Sequence, residues 1–128
     1  LTPVRRTVLE LLLREHRALG AYAILDHLGE AGFGTQPPVA YRALHFLSEH
    51  GFAHKIERLN AFVACTYPGE RHSPAFFFCR MCDAVAEVNA TQARGAMGAA
   101  ALAADFQIGR TIVEVEGLCP ICLENAVA

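Results

Sequence analysis

The sequence predicts an α+β chain in two parts: an N-terminal winged helix-turn-helix over residues 1–66 and a small α/β module over 73–128, with a hinge over 67–72. Three observations carry this expectation. The first 50 residues hold three helical patterns, and two period-two runs follow them, which is the element order of a winged helix-turn-helix. Two Cys-x-x-Cys pairs, Cys79/Cys82 and Cys119/Cys122, bracket the later part. The charge also divides at Tyr67-Pro68-Gly69: residues 1–66 hold seven Arg/Lys against six Asp/Glu, and residues 67–128 hold four against seven.

The elements follow in order. Val4 to His16 places Val4, Val8, Leu11 and Leu12 at helical spacing and stops before Gly20. A second helix covers about Tyr22 to Ala31, broken by Gly32 and Gly34. The third starts at Pro37-Pro38, where proline suits the first turn, and stops at Gly51, a favoured residue just past a helix end. Its buried stripe is Val39, Ala40, Ala43, Leu44 and Leu47, which leaves Tyr41, Arg42, His45 and Glu49 outward. Phe52–Ile56 and Ala61–Cys65 alternate around Leu59-Asn60 as a hairpin. Beyond the hinge, Phe76-Phe-Phe78 is a β-prone run into the first cysteine pair. Asp83–Val88 reads as a strand, Thr91–Ala104 as an Ala-rich helix, and Phe106–Glu116 as a second extended segment ending at the last pair.

Composition bounds the classes. At 128 residues the chain suits one ordinary domain or two very small ones sharing contacts, which excludes a large multi-lobed catalytic fold. No apolar run approaches the roughly 18 to 20 residues that span a bilayer, and no signal-peptide pattern opens the sequence. The expectation is a soluble cytoplasmic protein with no membrane partner. The net charge of −2 taken alone argues against nucleic acid, but the acidity belongs to the later part.

The cysteines carry the most specific chemistry. Two residues between cysteines let both thiolates turn toward one point, and two such knuckles supply the four soft ligands of a tetrahedral zinc site. The 36 residues between Cys82 and Cys119 exceed the usual ribbon spacing, yet each knuckle ends a β segment, which can bring them together. A redox dithiol and reduced buried thiols are the alternatives. A sulfur-only site has no open position, so no catalytic residues are expected and the chain does not read as an enzyme.

Cys65 is left over. His54 lies on the opposite hairpin strand and shares parity with Phe52 and Ile56, so it is expected to face inward. With His72 past the hinge and Glu87 after the first knuckle, these four form either a metal site or an ordinary packed histidine and cysteine; spacing leaves both open. Tyr41-Arg42 is equally open: Arg can bond two acceptors of guanine in the major groove, and the other reading is a solvated helix face.

Together these residues resemble the ferric-uptake-regulator family, and within it the zinc-uptake regulators. The matching stretches are Leu1-Thr-Pro-Val-Arg5, Ala21-Tyr22 with Leu25, Pro37-Pro-Val-Ala-Tyr-Arg-Ala-Leu44, Gly51-Phe-Ala-His-Lys-Ile56 and Asn60-Ala-Phe-Val-Ala-Cys65. His72, Cys79-x-x-Cys82 and Gly117-Leu-Cys-Pro-x-Cys122 complete the match, which covers nearly the whole chain. The resemblance implies a structural zinc on Cys79, Cys82, Cys119 and Cys122, and a regulatory zinc on His54, Cys65, His72 and Glu87, two Zn2+ per subunit. It implies contacts from Tyr22, Tyr41 and Arg42 to double-stranded operator DNA. It further implies homodimers or pairs of dimers held by the later module, and zinc-dependent repression of zinc-uptake genes.

A thiolate beside two imidazoles and a carboxylate suits zinc, whereas iron-type members lean on His and carboxylate. Those members also carry a His cluster before the first knuckle and another His late in the chain, where this sequence has only His72 and reads Arg110. Val39-Ala40 stands where Thr-Val is common, and no His-rich tail suggests a third metal site. The family usually has a methionine and a leading helix ahead of the segment beginning here at Leu1, so a truncated or partly ordered product is the expectation. The alternatives are an iron- or peroxide-responsive regulator of the same family, or a thiol-based redox sensor with Cys65 as the reactive thiol.

Overall fold

The computed structural model describes residues 1–15, 17–66, 68 and 74–127. Three helices come first, α1 (Pro3–Arg14), α2 (Ala21–Glu30) and α3 (Pro37–Glu49). Thr2 caps α1, its side chain accepting from the Arg5 N–H at 3.3 Å, and Pro3 opens the first turn, where its missing N–H costs nothing. α2 and α3 end alike. The N–H of Phe33 reaches the Leu28 carbonyl at 2.8 Å, and that of Phe52 reaches the Leu47 carbonyl at 2.8 Å. Between them the chain turns through Gly32 at φ +89° and Gly51 at φ +77°, a conformation that a Cβ would strain.

The helices pack on one core of Val8, Leu11, Leu12, Ile24, Leu28, Ala43, Leu44 and Leu47. Val39, expected within the buried stripe of α3, lies half-buried at its rim. Leu47 has no exposed surface, so Leu47→Ala should destabilise the fold by about 2–5 kcal/mol, read as a lower denaturant midpoint. An unchanged midpoint would mean that α3 is not held by this core.

The hairpin follows as β1 (Ala53–Ile56) and β2 (Ala61–Ala64), antiparallel with His54 opposite Val63. A single 3-10 turn, Glu57–Leu59, joins them, closed by Asn60 in the left-handed region. Ala53 and Ile56 are of opposite parity, yet both are buried. The reason is that both faces of the hairpin are covered: Ala53 and Phe62 lie on the helical core, while Ile56 packs with Phe76 and Phe78 of the later module.

That module holds β3 (Pro74–Cys79), β4 (Val85–Asn89), α4 (Thr91–Ala103), β5 (Glu114–Gly117) and α5 (Pro120–Val127). The strand order is β4-β3-β5, with β3 antiparallel to β4 and parallel to β5. A parallel pair needs a long crossover, and α4 with the segment after it supplies one. Phe76 and Phe78 are buried toward the hairpin, whereas Phe77 points away and is half exposed.

Two expectations shift. The extended segment Phe106–Glu116 becomes ladder only from Glu114, because 104–113 must carry the chain from the end of α4 to the sheet. β4 starts at Val85 rather than Asp83, because Asp83 closes the knuckle turn with φ +63°. The hinge expected over 67–72 lies, apart from Pro68, outside the described residues. A bridge nevertheless links the parts, from Arg17 in the α1–α2 connection to Ala84, while Leu19 of the same connection bridges to Phe62 of the wing. Among the described residues, no helix is long and apolar enough to cross a membrane.

Candidate metal centres and nucleic-acid interface

The parallel register of β3 and β5 sets Cys79 opposite Gly117, so both strands end at one level. Cys79 closes β3, and Cys82 follows a tight turn in which the Asp83 N–H donates to the Cys79 carbonyl at 3.0 Å. Cys119 precedes α5, and Cys122 lies in its first turn. Thus 36 intervening residues return the second pair to the first, and the four sulfurs lie within 4.8 Å of one another. Cys82 and Cys119 are 3.7 Å apart, sulfur to sulfur. A tetrahedron with metal–sulfur bonds of about 2.3 Å has edges of about 3.8 Å, so this donor set fits zinc.

The thiols also show why they suit a cation. Backbone N–H groups of Cys119 and then Cys82 lower the Cys79 thiol to about 6. The Cys119 thiol, and next that of Cys79, push Cys122 up to about 12. At Cys82 the Ala84 backbone lowers the value, but the Cys119 and Cys79 thiols outweigh it and the net shift is upward. Crowded sulfurs resist ionising together unless a positive charge sits among them.

The second cluster draws on both parts of the chain. His54 comes from β1, Cys65 directly follows β2, and Glu87 is in β4. His54 Nε2 lies 3.7 Å from Glu87 Oε2, and Cys65 Sγ donates to the same oxygen at 3.9 Å. The Thr66 N–H donates to Glu87 Oε1 at 3.0 Å. The Glu87 side chain is only 2% exposed, and burying a carboxylate is costly without compensating charge or hydrogen bonds. Zinc bonds of about 2.0–2.3 Å give N···O and S···O edges near 3.4 and 3.6 Å, so these three donors stand a few tenths of an ångström open. A cleft of about 200 Å³ lined by Cys65, Thr66 and Glu87 adjoins them. His72 lies outside the described residues.

Tyr22 on α2 is 79% exposed, and Tyr41 and Arg42 face solvent from α3. Arg5, which sequence reasoning did not single out, lies with its guanidinium 3.7 Å from the centre of the Phe46 ring and lines the same surface grooves as Arg42. In the sequence it stands only as the last residue of the matching stretch Leu1–Arg5, with nothing to mark it for a contact. Among the described residues, no carboxylate pairs with Arg5 or Arg42. Arg110 is instead taken up by Glu57 and holds that carboxyl below its usual range.

Three helices with a β wing, two unpaired arginines on the α3 side and soft metal donors at the junction define a winged-helix DNA-binding protein with metal-binding chemistry. The chain is 40% identical over 125 residues to the zinc uptake regulation protein of Escherichia coli (strain K12), covering 97% of this chain and 73% of that protein, and equally so to that of Shigella flexneri. It belongs to the ferric-uptake-regulator family, in the branch of the zinc uptake regulators. A zinc uptake regulator complexed with zinc and DNA shares its fold at a TM-score of 0.93 and 38% identity, over 99% of this chain and 85% of that one. The holo form of the regulator XcZur follows at 0.85 and 40%, over 97% and 86%. A ferric uptake regulator from Francisella tularensis, 16% identical at a TM-score of 0.63 over 96% and 93%, shares the fold. No family profile matches the chain. Its relatives are regulators, and the chain is not an enzyme.

Proposed function

We propose that this zinc-responsive, DNA-binding regulator represses zinc-uptake genes, binding operator DNA as a homodimer, singly or as paired dimers, when its regulatory zinc is present. Each subunit takes two Zn2+: one in the cage of Cys79, Cys82, Cys119 and Cys122, the other on His54, Cys65, His72 and Glu87. The observation that carries this reading is the meeting of His54 and Cys65, from the wing, with Glu87 of the second sheet. Zinc bound there would supply a positive charge for these donors to share, and Cys65 would hold it as the thiolate, its proton passing to solvent.

The consequence lies in the protein's own geometry. α3 runs through Gly51 straight into β1, so holding His54 against Glu87 holds α3 relative to the later module. In a dimer that angle sets the separation of two α3 helices, which must match major-groove faces about 34 Å apart. When the donors part, the competent angle is populated only in part, and apparent operator affinity falls by that fraction. The homodimer reading rests on surface left uncovered in one chain. No residue of α4 is buried, and Met97, Leu102, Phe106 and Val115 of the edge strand β5 are all substantially exposed.

Metal titration monitored on an operator duplex, selected from a random pool by the zinc-loaded protein, tests the reading. Two equivalents per subunit are expected, with DNA binding following the one a chelator removes more easily. Binding that ignores zinc would sink it. On that duplex Arg42→Ala should weaken binding by about 1–3 kcal/mol and relax base preference. Arg5→Ala should weaken it evenly across sequences and reduce the salt slope by about one. If Arg42→Ala left both affinity and preference intact, α3 would not be the reading helix.

A further inference from the structure

The two parts of the chain also meet at the tip of the wing, along a cavity that His54, Glu57 and Glu114 all line. The 3-10 turn Glu57–Leu59 at the tip of the wing receives no side-chain cap from its own preceding residue, Ile56. Glu114, the first residue of β5, receives its first two N–H groups: that of Glu57 donates to Oε2 at 2.6 Å and that of Arg58 to Oε1 at 2.9 Å. This is a helix cap supplied from 57 residues away in sequence, across the junction between the modules. Hydrogen bonds from adjacent N–H groups to a carboxylate are charge-assisted and stronger than neutral ones. Two ion pairs flank it, Arg110 on Glu57 and Arg58 to Glu116 at 3.7 Å. The second is largely exposed and contributes little by itself. None of these groups belongs to the His54, Cys65 and Glu87 cluster.

We propose that Glu114 is a positioning residue for DNA recognition: it latches the wing tip to β5 and narrows the range of junction angles whether or not the regulatory zinc is bound. Zinc then selects the competent angle of a wing already tethered at its tip, instead of gathering two free bodies. Because α3 leads directly into β1, the latch orients α3 through the wing from β5, the sheet edge opposite β4 with its donor Glu87. The inference deepens the proposed function and rests on it for the effect on DNA, whereas the latch itself can be observed without DNA.

Amide hydrogen exchange reads the latch residue by residue. In the wild-type chain the Glu57 and Arg58 amides should be protected both with zinc saturating and after the more accessible zinc has been chelated. His54→Ala should keep that protection while losing zinc dependence. Glu114→Ala should lose the protection and weaken operator binding at saturating zinc by about five- to tenfold, the ratio a lost helix cap amounts to, with the cage zinc retained. Glu114→Gln, which keeps the shape and one acceptor oxygen, should fall between, and it decides the matter if the alanine variant fails to fold. The proposal is overturned if the two amides exchange as freely as an open loop in the wild type, or if the folded Glu114 variants bind operator within twofold of it. If zinc fails to switch operator binding in the wild type, the functional reading falls, while the exchange data still report on the latch.

Discussion

Cys119→Ser is expected to unfold the later module rather than merely empty its cage. Among the described residues, seventeen buried hydrophobic side chains lie before the hinge and only five after it, Ala75, Phe76, Phe78, Cys79 and Ala90, one of which is itself a cage cysteine. So small a core cannot supply the roughly 5–15 kcal/mol of a typical domain. A structural zinc contributes about 10–16 kcal/mol of apparent binding free energy, which in such a module is folding free energy. Serine offers a hydroxyl where the metal needs a thiolate. The variant should show no cooperative transition for β3, β4 and β5 in thermal unfolding monitored by amide exchange, with α1 to α3 retaining theirs. A strong chelator should do the same to the wild type. Unchanged unfolding of Cys119→Ser would remove the cage from the account.

Cys65→Ser should behave in the opposite manner, keeping the fold and losing the response. Cys65 is 5% exposed, and serine nearly preserves its shape, so the packing around β2 survives. What goes is a soft donor that links the wing to the Glu87 carboxylate. If the DNA-competent angle is populated to only about 1–10% without regulatory zinc, operator affinity should fall about 10- to 100-fold to the level of the chelated wild type, and added zinc should no longer restore it. His54→Ala should give the same result through the imidazole donor. Fluorescence anisotropy with and without chelator measures the difference, and zinc stoichiometry should drop from two to one. Full operator binding by either variant in chelator would refute the switch.

Much of this was readable along the chain. The helix ends at Gly32 and Gly51 were legible because the left-handed turn there needs a residue without a Cβ, a purely local demand. The hairpin and the outward Tyr41 and Arg42 followed from periodicity. The extended segment expected to end at the last cysteine pair carries no sign of α5, although Pro120 sits at its start. The parity of His54 was legible, but the burial of Ala53 beside it was not. Parity assumes one covered face, and here helices cover one side of the hairpin while β3 covers the other. Glu114 and Arg5 gave no sequence signal of their roles, since a carboxylate in a strand and an arginine in a first helical turn are ordinary.

The sequence by itself determined the local elements and the chemistry on offer: which residues turn, which face outward, and that four thiols stand in pairs beside a fifth among histidines and carboxylates. Only the tertiary structure decided which donors meet. The parallel register of β3 and β5 closes the gap between Cys82 and Cys119, and the hairpin packed on β3 and β4 brings His54 to Glu87, 33 positions apart. Ligation and capping act through space over a few ångströms, and separation along a chain does not limit what a folded sheet can bring within that range.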